Sequence, residues 1–278
     1  TNFETMFTDV NDKVGTIAGE VSKTPSTWNS GIFDMIKTLS DNVMIPIAGM
    51  IISFVLVYEL ISMVIDKNNL HDFNTAIFIR FFMKACIAVM LLSKTFDIVM
   101  AVFDVGSHIV NSAASAITGS TSIDVASTLQ TMFNEQFSEM SIGELLGLGM
   151  ETMIVSLCMK IMSVLITVIL YGRMIEIYLY VSVAPVPCAT VTNREWGTIG
   201  TNYFKGLCAL AFQGFFMMVC VAIYAVLQVF SWKEMNCAGV AVSDNLHTAL
   251  WSVAAYTVIL CFSLFKTGSL SKSIWNAH

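Results

Sequence analysis

The 278-residue chain is 56% hydrophobic and 12% charged, with a mean hydropathy of +0.73 and a net charge of −6. A soluble domain carries about 25% charged residues, so the composition excludes a water-soluble globule and points to an all-α, polytopic integral membrane protein. With no basic run on an acidic chain, bulk gripping of nucleic acid is excluded as well.

Residues 1–42 form the first segment. Phe3, Phe7, Val10, Val14, Ile17 and Val21 recur every three or four positions, one face of an amphipathic helix, and Thr24-Pro25 breaks it. A short helix with Ile32, Phe33, Ile36 and Leu39 on one side follows. This segment is expected to lie on the outer membrane surface, with docking to a partner as the alternative.

Residues 43–92 read as a transmembrane hairpin. The first span, 43–65, is interrupted only by Glu59, and Pro46 near its start is acceptable because a first helical turn needs no intrahelical donor. The second, 76–92, carries Arg80 and Lys84 one turn apart, in reach of headgroups from a helix end. Residues 93–151 read as a large outside loop. Within it, 96–117 is an amphipathic helix with Asp97, Asp104, His108 and Asn111 on its polar side, and 124–140 is helical again.

Residues 152–230 are the core pair of spans joined by a cytoplasmic turn. An uninterrupted helix from Thr152 to Ala184 has 33 residues. At 1.5 Å each it is about 50 Å long, well beyond a hydrocarbon core of about 30 Å. It either tilts and protrudes or kinks near Gly172; protrusion into the cytoplasm is expected, with the end at Pro185 and Pro187. The next span is 206–230. Residues 231–278 hold the last span, 247–265, and a short cytoplasmic tail.

Orientation follows from Lys and Arg in the short loops. With the amino terminus outside, the inside collects Lys67, Arg80, Lys84, Arg173, Arg194, Lys205, Lys266 and Lys272, and the outside Lys13, Lys23, Lys37, Lys94 and Lys233. That split favours five spans, N-out and C-in.

No chemistry motif is present. The chain has no Gly-x4-Gly-Lys-Ser/Thr phosphate loop, no His-Glu-x-x-His and no Gly-x-Ser-x-Gly, and its four histidines are scattered. Its seven cysteines form no Cys-x-x-Cys pair, so neither a disulfide framework nor a zinc site is expected. No enzyme activity, cofactor or metal is therefore expected.

Two charges fall inside spans, where charge is costly and a functional suspect by default. Glu59 and Lys160 pair with each other or line a water-filled path; the alternative is that each snorkels to its own surface. Arg173 and Glu176, three apart on one helical face, are a natural ion pair at the inner boundary, or else a solvated collar.

Arg173-x-x-Glu176-Ile177, the turn at Ala184-Pro185-Val186-Pro187, Glu195-Trp196, Tyr203-x-Lys205 and Gln213 together resemble the core of the TrbL family. These are polytopic inner-membrane subunits of type IV secretion systems, and the resemblance is strongest to versions from Gram-positive conjugative elements. It covers residues 150–230 by motif. It implies an outside amino terminus, five spans, a large central outside loop and an inside carboxy terminus. By resemblance, Arg173, Glu176, Pro185, Pro187, Glu195, Trp196, Lys205 and Gln213 are structural or assembly residues. The implied function is a channel or scaffold subunit in the membrane passage for single-stranded DNA with its relaxase. Separate ATPases would drive it, and several copies of the chain would surround the passage. A solute or ion transporter coupled through Glu59 and Lys160, and a non-conducting membrane scaffold, are the competing readings.

Overall fold

The computed structural model describes residues 15–65, 75–121, 142–193, 195–237 and 242–277, and among them the chain is helical without a strand. In chain order the helices are α1 (15–22), α2 (Pro25–Trp28), α3 (Ser30–Leu39), α4 (Ile45–Ile65), α5 (Thr75–Ser93), α6 (Thr95–Thr121), α7 (Ile142–Val183), α8 (Pro185–Thr190), α9 (Gly197–Cys237) and α10 (Val242–Ile274). Five helices among the described residues are long and apolar enough to cross a membrane: Ser30–Ile65, Thr95–Ala116, Gly149–Val183, Gly197–Leu227 and Trp251–Ile274. The chain is thus an all-α, multi-pass membrane protein.

The break at Thr24 is local chemistry. The Thr24 hydroxyl accepts from the Thr27 backbone while the Thr27 hydroxyl accepts from the Thr24 N–H, a reciprocal cap followed by Pro25 at the first helical position. Upstream, Ile17 and Val21 are 0% and 1% exposed, so this part of the amino-terminal helix packs inside protein rather than on a lipid surface. Residues 1–14 of the expected amphipathic helix lie outside the described residues.

Pro46 is accommodated by a different device from the one expected. Helix α3 does not stop before α4 but passes through Ser40–Met44, where the turn is one residue wider and the Ile45 N–H reaches back to the Ser40 carbonyl. A widened turn makes room where the proline ring and its missing N–H disturb the ordinary ladder. The 36-residue segment Ser30–Ile65 is the result.

A crossing-length helix also lies where none was expected. Residues 75–93 are helical, as the apolar run implies, but the helix at Thr95–Ala116 falls inside the stretch 93–151 expected as an outside loop. The seven-residue spacing of Asp97, Asp104 and Asn111 confines polar groups to one stripe. Val99, Phe103 and Val110 on the remaining surface are buried, and the helix is apolar enough on balance. Helices α5 and α6 are nearly continuous, since Lys94 N–H bonds Met90 C=O and Ile98 N–H bonds Lys94 C=O. The Thr95 hydroxyl bonds the Leu91 and Leu92 carbonyls at 2.8 and 3.0 Å, the kind of backbone competition that bends a helix. The expected helix at 124–140 lies outside the described residues.

The chain forms two compact units. The first takes Thr1–Ser22, His108–Gly172 and Gln213–Gly268. Its core is apolar, built from Ile17, Val21, Val110, Ile166, Leu170, Met217, Val221 and Leu264. Inside it the Tyr224 and Thr257 hydroxyls meet at 2.9 Å.

The second takes Lys23–Ser107, Arg173–Phe212 and Ser269–His278. One core joins Val99, Phe103, Met174, Ile177, Val181, Leu207 and Leu210, and a smaller one joins Ala48, Ile52, Ala88, Leu92 and Ala189. At Gly106 an added Cβ would stand 3.1 Å from both the Cβ and the carbonyl oxygen of Ala211. Small residues of this kind let apolar helices approach closely where lipid offers no hydrophobic drive to associate.

Candidate functional site

The proline turn supplies the site. Helix α7 ends at Val183, and α8 starts with Pro185, whose missing N–H falls where a helix needs none. This confirms the predicted stop. The turn is packed rather than solvated: Pro185, Cys188, Ala189 and Thr190 are buried, and α8 packs against α4 and α5. Pro187 is half-buried and its carbonyl accepts from the Thr190 hydroxyl at 2.8 Å. Gly200 seals the far side. A Cβ there would lie 2.3 Å from Val191 Cγ2 and 2.7 Å from the Pro187 carbonyl oxygen.

Beyond α8 the chain reverses through Asn193, Glu195 and Trp196. The Asn193 Oδ1 accepts from the backbone N–H groups of Glu195 and Trp196 at 2.8 and 2.9 Å. These are donors that the start of α9 leaves free, and an Asn side chain satisfies them well. With its acceptor so engaged, Asn193 turns its amide to Glu59, donating from Nδ2 to Oε2 at 3.4 Å. The other Glu59 oxygen accepts from the Lys84 ammonium, so α4, α5 and the turn share one buried carboxylate. Glu59 is 8% exposed.

A second strap lies alongside. The Tyr58 hydroxyl donates to Glu195 Oε2 at 2.7 Å, and the Trp196 ring stacks on both Phe54 and Tyr58, with centroids 5.6 Å apart and planes 12° apart in each pair. Phe54 and Tyr58 are one turn apart on α4, so they present a single aromatic face. Tyr and Trp are favoured where one end of the ring is apolar and the other wet, as at a membrane boundary.

Two expected pairings are corrected. Glu59 is held by Lys84 and Asn193 rather than by Lys160, which is exposed. Glu176 accepts from Lys272 at 2.7 Å rather than from Arg173. Proximity in sequence misled here, because Arg173 is 7% exposed whereas Glu176 sits in an ion pair with both side chains about 40% exposed. The two therefore occupy different environments on one helix. Lys205 is half-buried. Gln213 is buried, its Oε1 has no hydrogen-bond partner among the described residues, and its Nε2 would be 3.2 Å from a Cβ at Gly268.

The structure therefore brings together Glu59, Pro185, Pro187, Glu195 and Trp196. It also adds Tyr58, Lys84 and Asn193, which sequence reasoning did not single out as site residues. Asn193 left a signal: an Asn four residues before Gly197, at a chain reversal, is a helix start. Lys84 and Tyr58 left none pointing to this turn.

Cys188, beyond the end of the crossing-length segment Gly149–Val183, shows how dry the turn is. Burial pushes its thiol up to about 11, against the opposing effect of the Thr95 hydroxyl.

A family model described as TrbL/VirB6 plasmid conjugal transfer like protein matches residues 10–185. The match takes in Glu59, Lys160, Arg173, Glu176 and Pro185, and stops short of Pro187, Glu195, Trp196, Lys205 and Gln213. No curated protein and no solved structure matches the chain. With well over half of its residues matched, the chain belongs to the TrbL/VirB6 family of plasmid conjugal transfer-like membrane proteins.

Proposed function

We propose that this chain is a channel or scaffold subunit of a type IV secretion apparatus for conjugative DNA transfer, seated in a bacterial cytoplasmic membrane. The family match over residues 10–185 carries this reading, because it takes in three of the five crossing-length helices whole. Separate ATPases power transfer, several copies of the chain surround the passage, and single-stranded DNA with its relaxase passes transiently. The chain itself acts structurally rather than as an enzyme.

The proposed orientation is N-out and C-in. Taking Thr95–Ala116 as the second crossing, in place of 76–92, keeps five spans and moves Lys94 to the inside. The Lys and Arg split then sharpens from eight against five to nine against four. The transporter reading loses its coupling pair, since the Glu59 carboxylate is committed to Lys84 and Asn193.

A clean deletion is expected to abolish DNA transfer while relaxase nicking of the DNA continues. Transfer at normal frequency from the deletion strain would eliminate the channel reading. For orientation, single cysteines at positions 124 and 237 should react with an impermeant thiol reagent in intact cells, and one at 194 should not.

A further inference from the structure

Helices α4 and α5 carry three charged side chains, Glu59, Arg80 and Lys84, and two of them cancel. Arg80 is left over. It is exposed, and among the described residues it has no hydrogen-bond or ion-pair partner. Its surroundings are apolar: Phe78, Ile79, Phe82 and Met83 are between 51% and 67% exposed, and Ile87 is 49% exposed. Large apolar residues in such a run are not stable facing water.

A guanidinium is a planar fork of donors that fits an oxyanion with two acceptors. Glu59, the one carboxylate on these two helices, is already taken. With Thr95–Ala116 taken as the second crossing, α5 stands on the inner side of the membrane rather than through it. An apolar helix there lies in the interface, with its charged groups at headgroup level and its apolar face against the acyl chains. The ligand must therefore combine a phosphate-like anion with apolar bulk.

We infer that Arg80 binds the phosphodiester headgroup of an anionic phospholipid, whose acyl chains cover the exposed face from Phe78 to Ile87. Lys84, whose side chain remains 43% exposed while bonded to Glu59, turns its free N–H groups to the same phosphate. Nucleic acid also offers phosphodiesters, but it would leave Phe82 and Met83 in water, so lipid is the favoured source. The inference rests on the membrane character of the chain and not on the passage reading.

The test uses the full-length chain, delipidated in detergent and examined by native mass spectrometry with dioleoyl phosphatidylglycerol or dioleoyl phosphatidylcholine. The anionic lipid is expected to be retained about five-fold better. Arg80→Gln should remove that preference, Arg80→Lys should keep part of it, and Lys160→Gln, at another exposed cation, should keep all of it. Equal retention of the two lipids would overturn the inference. So would a preference that survives Arg80→Gln or disappears equally in Lys160→Gln. Displacement of the lipid by a single-stranded oligonucleotide at matched phosphate concentration would overturn it in favour of nucleic acid.

Discussion

The two compact units solve the same problem by different means. The first holds an apolar core in which Ile166, Leu170, Met217 and Leu264 interlock, with the Tyr224–Thr257 hydroxyl pair inside. The second adds to its apolar cores a set of long-range polar ties: Glu59 with Lys84 and Asn193, Tyr58 with Glu195, Glu176 with Lys272, and the Tyr178 hydroxyl with the Pro25 carbonyl. Lipid is as apolar as leucine, so apolar contact alone selects one helix arrangement over another only weakly. Polar ties are directional and have few alternative partners. The second unit contains two proline breaks and a chain reversal, and these directional contacts tie them in place.

Glycine substitutions should break the comparison most sharply. Gly200 in the second unit faces backbone and Val191 with no room for a Cβ, whereas Gly172 in the first has nothing within 4 Å of the same position. Gly200→Ala is expected to cost about 1–3 kcal/mol by overpacking, visible as a fall in the midpoint of thermal unfolding in detergent. Gly172→Ala should leave the midpoint unchanged or raise it slightly, since alanine is the better helix former. Equal responses would mean that the proline turn yields as readily as an open helix face.

The carboxylate shared by three elements gives the next largest effect. Lys84→Met leaves the Glu59 carboxylate with only the Asn193 amide and is expected to cost about 2 kcal/mol, because a buried charge stripped of its partner is heavily penalised. Glu59→Gln should cost less, about 1 kcal/mol, since Lys84 can turn to the surface. The double variant should be more stable than the sum of the two losses predicts. Strict additivity in that cycle would show that the pair is not coupled.

The Glu176–Lys272 pair is more exposed and should contribute under about 1 kcal/mol. Its value is diagnostic. Exchanging the charges as Glu176→Lys with Lys272→Glu should restore wild-type stability, while exchanging Arg173 and Glu176 should not. Rescue by the second exchange alone would return the partner assignment to the one suggested by sequence spacing.

What could be read from the sequence follows the range of the physics involved. Long apolar runs, the Thr24 break and the stop before Pro185 depend on neighbours a few residues away, and they were legible. The crossing-length helix at Thr95–Ala116 was not, because its Asp97–Asp104–Asn111 stripe looked like a water-facing surface on a loop helix. Pairing was harder still. Arg173 and Glu176 satisfy the spacing rule for helical neighbours, yet Glu176 found Lys272, 96 positions away. Glu59 found Lys84, 25 positions away, across a hairpin whose register the apolar pattern does not fix. An isolated charge in an apolar helix announces that it needs a partner without saying which one.

Cys188 offers the smallest effect and the cleanest reporter of the second unit's integrity. Its thiol is raised from 9.0 to about 11 by burial, and only the thiolate is an effective nucleophile. At neutral pH the folded chain should therefore be protected from maleimide at this position, with modification appearing only as the turn opens. The pH dependence has a definite sign. Between about pH 9 and 11 the unfolded thiol has lost its proton while the folded one retains it, so unfolding releases a proton and stability falls as pH rises through that window. A chain whose other six cysteines are replaced by alanine or serine isolates the signal. Rapid labelling of Cys188 at pH 7 in the folded protein would mean that the proline turn is open to water. Labelling in Gly200→Ala but not in Gly172→Ala would tie that opening to the crowded side of the turn.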